Sequence, residues 1–242
     1  MGIPEIVLGL GGLLIGIMKA GFGGGIGVVV TPLLALVMPA KLALGAILPL
    51  SVAADLISVR YYWRYRVIHH VIALLPGMVV GVGVGWLLLD AIPEALFRKV
   101  LGALACVFAI LQTVRERLPD RVGAPGRGFA LVAGVALGTV SVLAHSGGIV
   151  LMLYLMPQRL SGRAYVSTAI LVGIVLNVLK IVPYRAMGLL GGDVLQMDLW
   201  MLPAVAVGTG VGILVNKRLS PVWFNRAILV LVVAIGINLM IS

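Results

Sequence analysis

The chain runs to 242 residues, 62% apolar and only 11% charged, with 32 glycines and a mean hydropathy of +1.19. A soluble domain carries about 25% charged residues to cover its surface, so this composition excludes an ordinary soluble globular protein and makes lipid the solvent for most of the chain. The net charge of +10 sits in short gaps between apolar stretches, which reads as a topology signal and not as a nucleic-acid surface.

The first apolar run, 6–20, has no Lys or Arg ahead of it and no small-residue cleavage site, so it is expected to be mature membrane structure and not a signal peptide. It carries Lys19 near its end and runs into Gly21-Phe22-Gly23-Gly24-Gly25, followed by a short run, 26–38. Runs 42–59, 71–89 and 100–114 complete the first half, the last of them containing Cys106. A single cysteine excludes an intrachain disulfide and a CxxC site. After a basic linker the pattern returns: 129–144, the break Ala144-His145-Ser146-Gly147-Gly148, a short run 149–156, then 164–184, 199–215 and 223–241. Glycine costs a helix about 1 kcal/mol relative to alanine, so the glycine clusters mark unwound points. Unwound backbone survives in hydrocarbon only where it is buried in protein or lines a watery cavity. Each break is therefore expected to join two half-helices of a hairpin meeting near mid-membrane; the alternative is two short spans joined by a flexible turn.

The halves repeat. Leu75-Pro76 with Gly81, Gly83 and Gly85 returns 127 positions on as Leu202-Pro203 with Gly208, Gly210 and Gly212. Gly24-Gly25-Ile26 returns 123 positions on as Gly147-Gly148-Ile149, and Ala46-Ile47-Leu48 as Ala169-Ile170-Leu171. The difference is expected to fall in a loop at 191–198. Charge orients the copies: Arg60, Arg64, Arg66, Arg115, Arg117, Arg121, Arg127, Arg159, Arg163, Lys217, Arg218 and Arg226 give twelve basic residues on one side against four on the other, Lys41, Arg98, Lys99 and Arg185. The positive-inside rule places the twelve in the cytoplasm and both termini outside. A returning hairpin plus three full spans is an odd number of full crossings, so the second copy is inverted. The expected fold is an all-α polytopic membrane protein of two inverted-topology repeats, 1–122 and 123–242, forming one integral domain. Inverted repeats around discontinuous helices are the architecture of secondary transporters, with substrate at the repeat interface.

In the paired breaks, Gly21 to Gly25 followed by Pro32-Leu33 and Ala144 to Gly148 followed by Leu155-Met156-Pro157, and in the Gly81, Gly83, Gly85 run, the chain resembles the TauE/SafE family. The resemblance covers nearly the whole length. It implies a membrane transporter of sulfur-containing oxyanions, an exporter of sulfite or of an organosulfonate such as sulfoacetate. Some members carry cysteine motifs, and a chain with Cys106 alone departs from them.

The residues that could carry such chemistry are few. Lys19, at the deep end of the first hairpin arm, needs a reason to be there, since a charge at the bilayer centre costs roughly 2.5–3.5 kcal/mol on insertion scales. An anionic ligand supplies one; snorkelling into a watery vestibule is the plainer reading. Free amides of Gly23, Gly24 and Gly25 at the start of the second arm would add donors and the positive end of a helix dipole. His145 and Ser146, with Gly147 and Gly148, occupy the tip of the second hairpin, where His145 could bind an oxyanion when protonated, couple transport to protons, or serve as a structural donor. Ser141 and Thr139 are lining hydroxyls or bond back to their own helix. Asp55 is a proton or cation site or a partner of the Arg60 to Arg66 cluster, and Asn177 holds the matching place in the second half. Lys180 reads as a snorkelling lysine, and His69 and His70 as an interfacial belt with Tyr61, Tyr62 and Trp63. No metal-ligand spacing and no phosphate-binding loop is present, so no cofactor is expected; the partners are a small anion and membrane lipid, with a homodimer compatible. Competing readings are proton-coupled uptake of another organic anion through the cytoplasmic membrane and an intramembrane enzyme built on His145, Ser146 and Asp55.

Overall fold

The computed structural model describes residues 3–22, 26–115, 127–218 and 221–241. Among them the chain is helical, with ten α-helices on the ten apolar runs: α1 Ile3–Phe22, α2 Ile26–Leu34, α3 Ala40–Tyr62, α4 Ile68–Ala91, α5 Glu94–Arg115, α6 Arg127–Ala144, α7 Gly147–Leu155, α8 Gly162–Ala186, α9 Gly192–Arg218 and α10 Pro221–Ile241. Four helices are long and apolar enough to cross a membrane by length and composition, those in α3, α4, α8 and α9. The protein is an all-helical polytopic membrane protein.

Helix lengths follow from where breakers fall. The first arms, α1 with 20 residues and α6 with 18, meet no breaker until the glycine clusters and are about 30 and 27 Å long at 1.5 Å per residue. The second arms, α2 and α7, have nine residues each, about 14 Å. Pro32 lies in the last turn of α2, and α7 runs into Pro157 in a 3-10 turn. The hairpins thus pair a long arm with a short one, as the short runs after each break lead one to expect. The loop expected at 191–198 is also shorter: α9 begins at Gly192 with Asp193 in its first turn, where an acidic side chain complements the helix dipole. Ser161 caps α8 by accepting from the Ala164 N–H at 3.3 Å.

Helices pack in matched pairs. In α4 against α6, a Cβ on Gly81 would stand 2.1 Å from the Val135 carbonyl; in α1 against α9, one on Gly208 would stand 2.2 Å from the Leu13 carbonyl. Small residues at these crossings let the backbones touch, which is what holds helices together where lipid removes the hydrophobic drive. α3 and α8 lie side by side and antiparallel. Gly45 near the start of α3 abuts Leu189 just past the end of α8, while at the other end Ser167 Oγ donates to the Tyr62 carbonyl at 2.8 Å. α5 and α10 touch through Gly102 and Gly236.

Hydrogen bonds recur between the halves too. Tyr62 Oη donates to the Ala20 carbonyl at 3.0 Å, and Tyr184 Oη to the Val142 carbonyl at 2.7 Å. These partners, like Asp55 and Asn177, are 122 positions apart, one fewer than the 123 read from identical tripeptides. One residue turns a helical position by about 100°, so contacts and not identities set the register. Tyr62 and His70 are buried, the latter with its ring edge-on to Tyr154. They therefore leave the expected interfacial belt, in which Tyr61, Trp63 and His69 remain exposed.

Candidate functional site

The second break packs directly onto the start of α2. The Gly27 N–H donates to the His145 carbonyl at 3.3 Å, and a Cβ on Gly27 would stand 1.6 Å from the Ala144 carbonyl oxygen, so no other residue fits. Thr31 Oγ1 and Ser146 Oγ both donate to that same carbonyl, at 3.1 and 2.9 Å. His145 sits at φ 50°, a left-handed conformation that costs a residue with a Cβ roughly 1–2 kcal/mol. Contacts on both sides hold it there: its N–H reaches the Ser141 carbonyl at 3.0 Å, and its ring is fixed as described below. Gly23, Gly24 and Gly25, the first-break donors expected from the sequence, lie outside the described residues.

Between the hairpins, α3 and α8 face each other with two stripes of like spacing. Ser51, Asp55, Ser58 and Tyr62 on α3, and Gly173, Asn177, Lys180 and Tyr184 on α8, fall four, three and four residues apart, which puts each set on one helical face. Asp55 Oδ2 forms an ion pair with the Lys19 ammonium and accepts from Asn177 Nδ2 at 3.0 Å; the same Nδ2 reaches Ser51 Oγ at 3.2 Å. Gly173 leaves room for this cluster, since a Cβ there would be 3.3 Å from Lys19 Nζ. Asp55 thus pairs with Lys19 and not with the arginine cluster at the end of its helix.

A second cluster is centred on His145. Lys180 Nζ donates to His145 Nδ1 at 2.8 Å, and His145 Nε2 lies 3.0 Å from the Leu44 carbonyl. Tyr184 Oη, which donates to the Val142 carbonyl, lies 3.4 Å from the same Nε2. A carbonyl can only accept, so Nε2 carries the proton. A neutral ring then leaves Nδ1 as the acceptor for a Lys180 N–H. Lys180 is 1% exposed, deep inside the protein and not snorkelling. Among the described residues it has no carboxylate within ion-pair distance.

Both clusters open onto one cavity, lined by Lys19, Ser51, Asp55, Ser141, Asn177 and Lys180, by His145 and the Gly147–Gly148 backbone, and by apolar side chains of α6, α7 and α8. It offers about 50 Å³ to the centres of water-sized molecules, room for on the order of four waters or one small tetrahedral anion. With all three ionised, Lys19 and Asp55 cancel and Lys180 leaves one net positive charge on the lining. Gly147 and Gly148 begin α7, whose N-cap residue Ser146 caps no backbone N–H with its side chain; the positive end of that helix faces the same space.

Of the residues singled out in the sequence, Lys19, Asp55, Ser141, His145, Gly147, Gly148 and Asn177 line this cavity, whereas Ser146 turns its hydroxyl to the backbone and is absent from the lining. Thr139 donates to the Gly81 carbonyl at 3.1 Å, in the α4–α6 seam. His145 and Ser146 have no hydrogen bond to one another of the kind a base makes to its nucleophile. Lys180, read from the sequence as snorkelling, belongs to the site, as do Tyr184, Ser51 and Gly173, which the sequence reading does not single out although the 173, 177, 180, 184 spacing on an otherwise apolar helix is a readable signal. No group of three or more His, Cys, Asp or Glu able to hold a metal occurs among the described residues.

A family model described as sulfite exporter TauE/SafE matches residues 8–239. No curated protein and no solved structure matches the chain.

Proposed function

The chain belongs to the sulfite exporter TauE/SafE family, and on that premise we propose that it exports a small sulfur oxyanion, sulfite or an organosulfonate such as sulfoacetate, across the cytoplasmic membrane. The observation that carries this reading is Lys180: a buried lysine with no carboxylate within ion-pair distance among the described residues, on the wall of a cavity of small-anion size. A buried charge without a counter-ion is costly, and an oxyanion supplies the missing one. Lys180 contributes charge, the start of α7 contributes N–H donors, Asn177 and Lys19 fix Asp55 beside them, and His145 and Tyr184 hold Lys180 at the cavity wall. The size of the space favours sulfite over sulfoacetate.

The carrier works by alternating access between two inverted repeats, 1–122 and 123–242, with the binding site at their interface. The antiparallel α3–α8 pair, the matched α4–α6 and α1–α9 seams and the hydrogen bonds that recur 122 positions apart support that division. Twelve basic residues against four support cytoplasmic placement of the basic loops and termini outside. With the interior negative, each unit of negative charge leaving gains about 2.3 kcal/mol per 100 mV, so a monoanion needs no coupling ion to be driven outward.

The test is a thermal-stability screen of the purified protein with sulfite, sulfoacetate, taurine, sulfate, acetate and phosphate, since a ligand of the native state stabilises it by an amount that rises with the logarithm of its concentration over its dissociation constant. Selective stabilisation by a sulfur oxyanion is the expected result. Stabilisation by carboxylates alone would detach the site from sulfur anions.

A further inference from the structure

The cavity contains one ionisable group that monoanion export leaves unused. Asp55 is fully buried. Its Oδ2 takes both Lys19 and Asn177, while Oδ1 has no hydrogen-bond partner among the described residues. The titratable groups that share its cavity are Lys19 from α1, Lys180 from α8 and His145 from the α6–α7 break. Of the other helices packed on α3, α2 carries no ionisable side chain, α5 carries the Cys106 thiol at mid-helix, and the charged side chains of α5 and α9 fall in their first two turns or their last.

The charge of the site therefore depends on Asp55. Ionised, it cancels Lys19, and the lining balances one negative charge through Lys180. A dianion in that site would leave a second negative charge uncompensated beside a carboxylate, in a medium of low dielectric where such a charge is strongly disfavoured. A proton on Oδ1 removes the carboxylate charge and frees the Lys19 ammonium, so the lining then balances two.

We propose that Asp55 sets the charge class of the carried anion: ionised, it admits a singly charged oxyanion; protonated, it admits a doubly charged one together with one proton. One net negative charge moves in either case. The proton is taken from the water on the side to which the cavity opens, stays on Oδ1 while the dianion is bound, and is released with it on the other side; no bond within the anion changes. The inference rests on the oxyanion reading above and assigns the residue that sets its stoichiometry.

Sulfate and methanesulfonate are tetrahedral anions of similar size whose charges, two and one, stay fixed across the neutral pH range. Their affinities are measured by calorimetric titration of the full-length purified protein as a function of pH. In the wild type, methanesulfonate affinity is expected to stay flat, while sulfate affinity rises as pH falls, approaching about tenfold per unit because one proton is taken up per dianion. Asp55→Asn leaves Lys19 and Lys180 both uncompensated, so sulfate becomes the preferred ligand and its affinity loses the pH slope. The Lys19→Met, Asp55→Asn double variant removes both members of the ion pair; it is expected to return to methanesulfonate preference with no slope. It also keeps the test decisive if the single variant fails to fold around a stranded lysine. A flat sulfate affinity in the wild type, or a slope that persists in either variant, overturns the role of Asp55 and leaves the oxyanion site standing. Binding of neither anion at any pH overturns the oxyanion site itself.

Discussion

Replacing Lys180 with Met separates binding from folding. Methionine keeps an unbranched apolar stem that fills the same path and removes the buried ammonium that lacks a carboxylate among the described residues. A hydrogen bond from a charged donor contributes about 1.5–3 kcal/mol, and at 1.4 kcal/mol per decade its loss weakens anion binding by about 10- to 150-fold. A ligand at a hundred times its dissociation constant stabilises the native state by about 2.7 kcal/mol. A hundredfold loss of affinity cuts that to about 0.4 kcal/mol at the same concentration. The stability of the ligand-free protein moves little: the bond to His145 is lost, but so is the cost of an ammonium without a counter-ion. Thermal unfolding in detergent, with and without sulfite, reads both quantities. An anion-induced shift that survives in Lys180→Met would refute the reasoning, as would a ligand-free protein destabilised by several kcal/mol, which would make Lys180 a structural residue.

Other expectations follow from the packing. Gly27→Ala drives a Cβ into the Ala144 carbonyl at 1.6 Å, whereas Gly83→Ala meets nothing within 4 Å; the first should abolish monodisperse protein on size exclusion, and the second should stabilise by roughly 0.5–1 kcal/mol, with equal behaviour of the two counting against the seam. Tyr62→Phe and Tyr184→Phe each forfeit one buried hydrogen bond, about 1 kcal/mol of stability. Only Tyr184→Phe should also weaken anion binding, because Tyr184 alone borders the His145–Lys180 pair. Cysteines at Thr31 and Ala144, whose groups hydrogen-bond at 3.1 Å, placed in a Cys106→Ala background, should stop flux on oxidation and restore it on reduction. Undiminished flux in the oxidised protein would sink relative motion of the two hairpins.

Much of the fold was legible because membrane helices advertise themselves: each of the ten apolar runs became a helix, and the second break falls at His145 and Ser146, just ahead of Gly147 and Gly148, which open α7; Gly23, Gly24 and Gly25 lie outside the described residues. α2 stops at Leu34, short of the end of the apolar run 26–38, since apolarity says where a helix can sit and not where proline will stop it. The site was half legible. Lys19, Asp55 and His145 drew attention as rare polar groups in apolar runs, but their partners are set by helix pairing, which no local pattern encodes. Lys180 shows the difference. Position along its helix placed it near the end of a span, where a lysine ordinarily reaches for water; the antiparallel neighbour α3 and the second break enclose it instead. The stripe through Gly173, Asn177, Lys180 and Tyr184, matched by Ser51, Asp55, Ser58 and Tyr62, was present in the sequence and needed only a helical period of 3.6 to be seen.

Flux through the purified protein tests the central claim most directly. Proteoliposomes loaded with sulfite are given an inside-negative potassium diffusion potential, and efflux is followed for the wild type and for Lys180→Met. The account predicts efflux that accelerates with the imposed potential, carries net charge and falls at least tenfold in the variant. Wild-type efflux no faster than from protein-free vesicles, or efflux undiminished in Lys180→Met, would contradict it.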